Sequence, residues 1–377
     1  MYVCSYVCVR TEQVGCDIAR RIVQPLEDDD HTFDFEKGDY NIETSKIISV
    51  MTTKHILGID VGGTKCAIVS GSISDDGQIG ITGKSVFATE TAKGFDQTLQ
   101  NIYANMDAEL ANSGLAAKEI AAIGISCGGP LDSKKGVIMS PPNLPGWDNI
   151  PIVELIEKRY GIQTAVQNDA NACTLAEWKY GAGKGYSNVI FLTFGTGMGA
   201  GLILDDRLYA GANDMAGEVG HIRLECTGPV GYGKAGSFEG FCSGGGIAQM
   251  ARTLALEKLQ MGEQVSFCSS MAGLDSLNAK IVAEAAFKGD PLAIEIYRIC
   301  GHYLGKALSV LIDVLNPEVI VLGSIYGRSQ ELIEPAMRMA IECETLSHSR
   351  NVCKIVPAGL GESIGDYAAL SVAAYLL

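Results

Sequence analysis

The sequence predicts an α/β protein built as two similar lobes facing one cleft. A strand, a short glycine–threonine turn and a return strand occur twice, near residues 56–69 and 189–204. Such an internal duplication marks a repeated supersecondary unit. The length points the same way, because 377 residues exceed one ordinary compact domain and suffice for two cores. The 45 glycines follow no triplet period, so they read as turn residues and not as a fibre.

In chain order, the first unit is Ile56-Leu57-Gly58-Ile59-Asp60-Val61, the turn Gly62-Gly63-Thr64-Lys65, and Cys66-Ala67-Ile68-Val69. Leu99, Ile102, Tyr103 and Met106 stand at helical spacing and predict a helix over 95–112. Residues 120–126 read as a buried strand ended by Cys127-Gly128-Gly129-Pro130, and the proline-rich 141–147 as a rigid loop. A short helix is expected over 151–160, with Pro151 in its first turn. A helix through about 179 follows Gln167-Asn168-Asp169-Ala170-Asn171. The second unit is Val189-Ile190-Phe191-Leu192-Thr193-Phe194, the turn Gly195-Thr196-Gly197-Met198-Gly199-Ala200-Gly201, and Leu202-Ile203-Leu204. A helix over 291–315, strands near 319–324 and 352–357, and a helix from 366 complete the chain.

Residues 1–50 stand apart. They hold ten acids against five basic residues, include Glu27-Asp28-Asp29-Asp30, and sustain no helical or strand period. They read as a disordered acidic arm or as a stretch ahead of a true start at Met51, and the second reading is favoured. The whole chain carries 29 Lys+Arg against 44 Asp+Glu, a net charge of −15. That surface repels a phosphate backbone and disfavours nucleic-acid binding. No apolar run approaches the roughly 18 residues of a membrane span. The twelve cysteines are scattered without a C-x-x-C pair and read as buried, reduced thiols of a cytoplasmic protein.

The glycine turns suggest phosphate binding. Consecutive N–H groups in such turns form an anion nest, and threonine adds a hydroxyl donor. Asp60, closing the first strand, is placed to hold Mg²⁺ through water beside phosphates. Both turns lead into strands, which fits neither a Walker A loop nor a G-x-G-x-x-G fingerprint. Asp169 follows an apolar strand and starts a helix, so it is either a general base or an ordinary helix cap. Glu218 and His221, three residues apart, and Glu239 are apt partners for sugar hydroxyls, though each alone could be structural.

Together, segments 60–65, 195–201 and 321–324 resemble the phosphate-1, phosphate-2 and adenosine motifs of the actin/Hsp70/sugar-kinase superfold, a two-lobed, ribonuclease H-like ATPase fold. More narrowly, the chain resembles the ROK family through Gly58-Ile59-Asp60-Val61-Gly62-Gly63-Thr64-Lys65, Asn168-Asp169-Ala170-Asn171, Gly217-Glu218-Val219-Gly220-His221 and Glu239-Gly240-Phe241-Cys242-Ser243-Gly244. The resemblance covers the chain from about Lys54 onward. It implies an N-terminal lobe over 54–166 completed by a helix at 366–377, and a C-terminal lobe over 167–365. It further implies an ATP- and Mg²⁺-dependent kinase for a hexose, glucose first, or an N-acetylhexosamine, working as a homodimer. Asp169 would be the base, and Gly129, Asn168, Glu218, His221 and Glu239 the sugar contacts, with Asn143 a further one. ATP would meet Asp60, Gly62, Gly63, Thr64, Lys65, Thr196, Gly197 and Gly323. Trp147 would either stack on the sugar or anchor its loop. The alternative is a sugar-responsive regulator or binding protein. Repressors of the family carry an N-terminal winged helix-turn-helix, and no recognition helix is recognisable before Met51.

Two departures from the family pattern matter. Ser324 stands where the family often has a second glycine. Many members also bind a structural zinc through the His of G-E-x-G-H and three cysteines in C-x-C-G-x-x-G-C-x-E. Here those three positions hold Val230, Tyr232 and Ser237, so no zinc site is expected. His221 should then be oriented by another group, such as a carboxylate or a backbone carbonyl.

Overall fold

The computed structural model describes residues 53–377; the segment read above as an extension lies outside the described residues. The chain opens with β1 (Lys54–Val61), β2 (Lys65–Ile73), β3 (Ile79–Ala88), α1 (Phe95–Ser113) and β4 (Ile120–Cys127). A small hairpin, β5 (Leu131–Asp132) and β6 (Val137–Ile138), precedes α2 (Ile152–Tyr160) and β7 (Thr164–Asn168). These strands form a sheet in the order β3-β2-β1-β4-β7, antiparallel through β1 and parallel beyond it.

Next come α3 (Asp169–Tyr180), β8 (Val189–Leu192), β9 (Ala200–Leu204) and β10 (Arg207–Leu208). The hairpin β11 (Val230–Gly231) and β12 (Lys234–Ala235) leads to α4 (Phe238–Phe241), α5 (Gly244–Gln260), α6 (Ala279–Phe287) and α7 (Pro291–Leu315). Then follow β13 (Val319–Leu322), α8 (Ile325–Glu344), α9 (Ser347–Val352), β14 (Lys354–Pro357) and α10 (Ile364–Ala374). The second sheet runs β10-β9-β8-β13-β14, antiparallel through β8 and parallel to β13 and β14. Both sheets thus share one topology, which is the duplication expected from the two turns.

Local chemistry sets the helix ends. Gly114 and Gly161 close α1 and α2 in left-handed conformations. Ser243, Asn278 and Asp290 cap α5, α6 and α7, and Pro291 occupies the first turn of α7. β7 carries the first sheet to Asn168, two residues past the expected lobe boundary at 166. The closing helix starts at Ile364, not Asp366.

The first core packs α1 and α2 on one sheet face through Ile59, Ile68, Ile102, Met106 and Ile123. The larger second core joins α5–α8 to β8 and β13. α10 covers the other face of the first sheet, with Leu370 and Ala373 among Ile56, Val69 and Ala122. A Cβ on Gly124 would collide with the Ala369 carbonyl, so only glycine lets this helix lie so close. α3 lies on the second sheet through Ala172 and Leu175, beside Ala368 and Val372 of α10. Ser133 of the β5–β6 turn donates its N–H (2.7 Å) and its hydroxyl (2.8 Å) to Asp214, bonding the two halves directly.

Trp147 is fully buried, edge-on to Phe95 at 5.0 Å, so it anchors its loop and does not stack on a ligand. Among the described residues every cysteine is free; Cys66, Cys127, Cys242, Cys268 and Cys300 are buried, whereas Cys226 and Cys343 are exposed. No described helix is long and apolar enough to cross a membrane.

Candidate active site

The first turn links two paired strands, so its shape follows from the β1–β2 hairpin. The Gly62 N–H donates to the Lys65 carbonyl (3.1 Å), and the Thr89 hydroxyl donates to the Gly62 carbonyl (2.6 Å). Thr64 and Lys65 are exposed at its tip. A Cβ on Gly63 would stand 2.7 Å from the Asn143 carbonyl, which places the proline loop against this turn.

Asp60 projects from the end of β1 into a crowd of carboxylates. Burial, then Asp169 and Asp366, push its pKa up to about 6, while Lys84 and Lys65 oppose the rise. Lys84 of β3 pairs with Asp366 of α10 at 2.6 Å. Mg²⁺ is commonly held by one or two carboxylates plus substrate phosphates. Asp60 supplies one such ligand where negative charge already accumulates, so the residues fit that ion. The same crowding predicts a pH-dependent gain for Asp60→Asn. The folded pKa lies above the ordinary value of 3.8, so ionised Asp60 destabilises the native state at pH 8 by up to ~3 kcal/mol. The variant should melt higher at pH 8, and the gain should vanish as pH falls through 6 to below 4. Thermal scans across pH read this, and a gain that grows in acid would contradict it.

Asp169 begins α3, directly after β7. The cap is not Asp169 but Asn168, whose Oδ1 accepts the Ala170 N–H at 2.9 Å. Asp169 shares that donor through Oδ1 at 2.8 Å. Its side chain is exposed, yet burial raises its pKa above the ordinary carboxylate range, with the Ala170 N–H opposing. The carboxylate thus reaches water while protein crowds it enough to disfavour its charged form. Capping engages Asn168 Oδ1, so the Asn168 amide is the end left to face a ligand. A Cβ on Gly129 would come within 3.0 Å of that Nδ2, and one on Gly128 within 3.3 Å of Asn143 Nδ2. Gly129, Asn143 and Asn168 therefore lie close together.

The second turn is closed by Thr193 N–H to Gly199 carbonyl (3.0 Å) and Gly195 N–H to Gly197 carbonyl (3.1 Å). The Gly244 and Gly245 N–H groups at the start of α5 bond the Gly195 and Thr196 carbonyls, leaving the Thr196 side chain exposed. Glu239 of α4 accepts the Met198 N–H on Oε2 at 3.0 Å, so one oxygen braces this turn. Gly217, with φ of 90°, and Gly220 bring the Glu218–His221 turn hard against Ala200 and Met198, whose carbonyls a Cβ would strike. Burial raises Glu218 above the ordinary carboxylate range; His221 opposes the shift, and Asp169 and Glu239 add to it. Those three carboxylates therefore share one electrostatic field.

Gly323 follows β13, its N–H bonded to the Leu192 carbonyl at 2.9 Å. Ser324, the residue departing from the family pattern, has φ 46° and ψ −100°, a conformation that favours glycine. Ser324→Gly should therefore raise stability by about 1 kcal/mol. A melting temperature unchanged or lowered would argue against that strain.

Sequence reasoning missed three residues of this region. Lys84 lies on a strand with no motif. Asp366 reads from sequence only as a helix start. Glu177, fully buried in α3, accepts the N–H groups of Ala182, Gly359 and Leu360 and anchors the loop entering α10. Its helical position carries no signal for bonds so distant. The Tyr232 ring stands 5.2 Å from the His221 ring and nearly perpendicular to it, and the Glu218 carboxylate is near enough for His221 to hold its pKa down. A zinc ion does not fit here: Val230, Tyr232 and Ser237 offer no thiolate. Among the described residues no three His, Cys, Asp or Glu side chains group to hold a metal.

Two sheets of one topology, each carrying a glycine turn toward the same acidic centre, define the two-lobed actin-like ATPase fold of sugar kinases. The chain belongs to the ROK family, whose pattern it matches over residues 56–375. It is 29% identical over 319 residues to a glucokinase of Streptomyces coelicolor, covering 84% of this chain and 96% of the relative. A ROK family glucokinase from Streptomyces griseus, solved with glucose and AMPPNP, superposes with a TM-score of 0.65 at 28% identity. That match covers 85% of this chain and 99% of the other. The DNA-binding regulator NagC of Escherichia coli is 30% identical over 276 residues, 72% of this chain and 66% of the regulator.

Proposed function

We propose that this protein is an ATP-dependent sugar kinase, transferring the γ-phosphoryl group of ATP to a hydroxyl of a hexose, glucose by preference, or of an N-acetylhexosamine. The observation that carries the reading is the state of Asp169: exposed at the start of α3, one oxygen sharing the Ala170 N–H with the cap Asn168, close enough to raise the pKa of both Asp60 and Glu218, and itself raised in pKa. A carboxylate of raised proton affinity is suited to take the acceptor hydroxyl's proton as oxygen attacks phosphorus. The acceptor hydroxyl's oxygen forms the new O–P bond, its proton goes to Asp169, and ADP leaves with the electron pair of the broken bond between the γ-phosphorus and the bridging oxygen.

In this reading Gly62, Gly63, Thr64, Lys65, Thr196 and Gly197 cradle the phosphates through N–H, hydroxyl and ammonium donors, and Gly323 borders the adenosine. Asp60 would hold Mg²⁺, which when bound would supply neutralisation of phosphate charge. Gly129, Asn143, Asn168, Glu218, His221 and the free oxygen of Glu239 bind the sugar hydroxyls. Holding the acceptor in line with the phosphoryl group supplies most of the rate, because phosphoryl transfer depends chiefly on positioning and charge. The glucokinase relatives over nearly their full length support this reading.

The test is ADP release across a panel of hexoses and N-acetylhexosamines, compared by kcat/KM, with glucose expected highest. The likeness to NagC favours a second reading, a sugar-responsive regulator. Sugar binding without ADP release from any member of the panel would select it.

A further inference from the structure

We propose that the hairpin 230–237 is a metal-free clasp that orients His221, and that Tyr232 is its positioning residue. The inference rests on the sugar-kinase reading above, in which His221 meets the sugar. It also concerns the place where the family pattern has three zinc-binding cysteines and this chain has none. At each of those three positions the structure has a different bond.

Val230 is clamped at both backbone ends by one side chain. Its N–H donates to Gln249 Oε1 at 3.0 Å, and its carbonyl accepts from Gln249 Nε2 at 2.7 Å. This fixes the base of the hairpin to α5. Ser237 caps α4, its Oγ accepting the Gly240 N–H at 3.1 Å, and so sets the helical turn that carries Glu239. The Phe238 N–H adds a bond to the Ile222 carbonyl at 2.8 Å, next to His221. A tetrahedral metal would tie these same segments through one point; here separate hydrogen bonds do so.

Tyr232 completes the clasp. Its ring stands at 85° to the His221 ring with centroids 5.2 Å apart, an edge-to-face contact. Lys234, two residues on, donates Nζ to the His221 carbonyl at 2.7 Å, so histidine is held at its ring and at its backbone. Tyr232 is 72% exposed and has φ of 42° at the tip of a two-residue turn. Such a turn ordinarily uses glycine or asparagine, and a bulky aromatic residue is disfavoured there. Neither hairpin formation nor core packing accounts for tyrosine at this place; the contact with His221 does. Without a metal on the imidazole, both ring nitrogens remain free to donate and accept hydrogen bonds to adjacent hydroxyls.

The experiment compares Tyr232→Gly and Tyr232→Phe with the parent protein. Tyr232→Gly relieves the backbone and removes the ring. It should melt no lower than the parent, raise the sugar KM about tenfold, and change kcat less than twofold. Tyr232→Phe, which keeps the ring edge, should restore the KM. The His221 ring nitrogen resonances, read by NMR on the full chain without substrate, should shift in Tyr232→Gly and stay in place in Tyr232→Phe. This readout survives even if no sugar is phosphorylated, in which case the kinase reading fails and the clasp stands. A wild-type KM together with unmoved His221 resonances in Tyr232→Gly would overturn the clasp. So would one zinc per chain in the purified protein, with a melting temperature lowered by a chelator.

Discussion

Asp169→Asn should reduce kcat by about a thousandfold while leaving sugar affinity within about threefold of the parent. The exchange keeps the shape of the side chain and its Oδ1, so the Ala170 N–H retains an acceptor. Asn168 remains the cap of α3. The helix and the converging Gly129, Asn143 and Asn168 should therefore survive, and the loss should fall on proton transfer. Calorimetric titration with the preferred sugar, beside the ADP-release assay, separates the two effects. A variant with near wild-type turnover would remove Asp169 from the role of base. Binding of Mg²⁺ with ATP should also weaken in acid, because a proton competes with the metal for Asp60, whose pKa in the metal-free chain is raised to about 6. An affinity unchanged from pH 7.5 to 5 would contradict that.

Glu177→Ala should lower the stability of the native protein by about 3 kcal/mol. Glu177 is completely buried, with Oε2 accepting the N–H groups of Ala182 (2.8 Å) and Gly359 (3.0 Å) and Oε1 that of Leu360 (2.9 Å). Alanine leaves these donors without their acceptor and opens a cavity beside them. The consequence should reach the site. The freed loop leads into α10, which carries Asp366 and its ion pair with Lys84 next to Asp60. Denaturant unfolding monitored by circular dichroism measures the loss, and a change below about 1 kcal/mol would show that Glu177 does not hold this junction.

Much of the site was legible because its parts are local. A strand, a glycine turn and a return strand need only neighbours in sequence, so both turns and Asp60 could be placed from spacing alone. Gly217 and Gly220 could be seen as a motif, but their reason, an approach to Ala200 and Met198 too close for a Cβ, appears only after folding. Asp169 had two local readings, base and cap. The structure puts the cap at Asn168, with Asp169 sharing its Ala170 N–H donor, a placement of one residue that periodicity cannot make. Trp147 likewise had two readings, and burial against Phe95 selects the anchor.

The sequence by itself determined the duplication, the two glycine–threonine turns, the family, and the absence of cysteine from the zinc positions. Each of these is written in residue type and short spacing. The tertiary structure decided which groups share the acidic centre with Asp60, what holds α10, and what faces His221. Those depend on pairs that meet only when the two sheets and their helices pack, as Glu177 and Gly359 do across 182 residues. Burial and Coulomb fields act through space, so bonds of that reach leave no period in the chain.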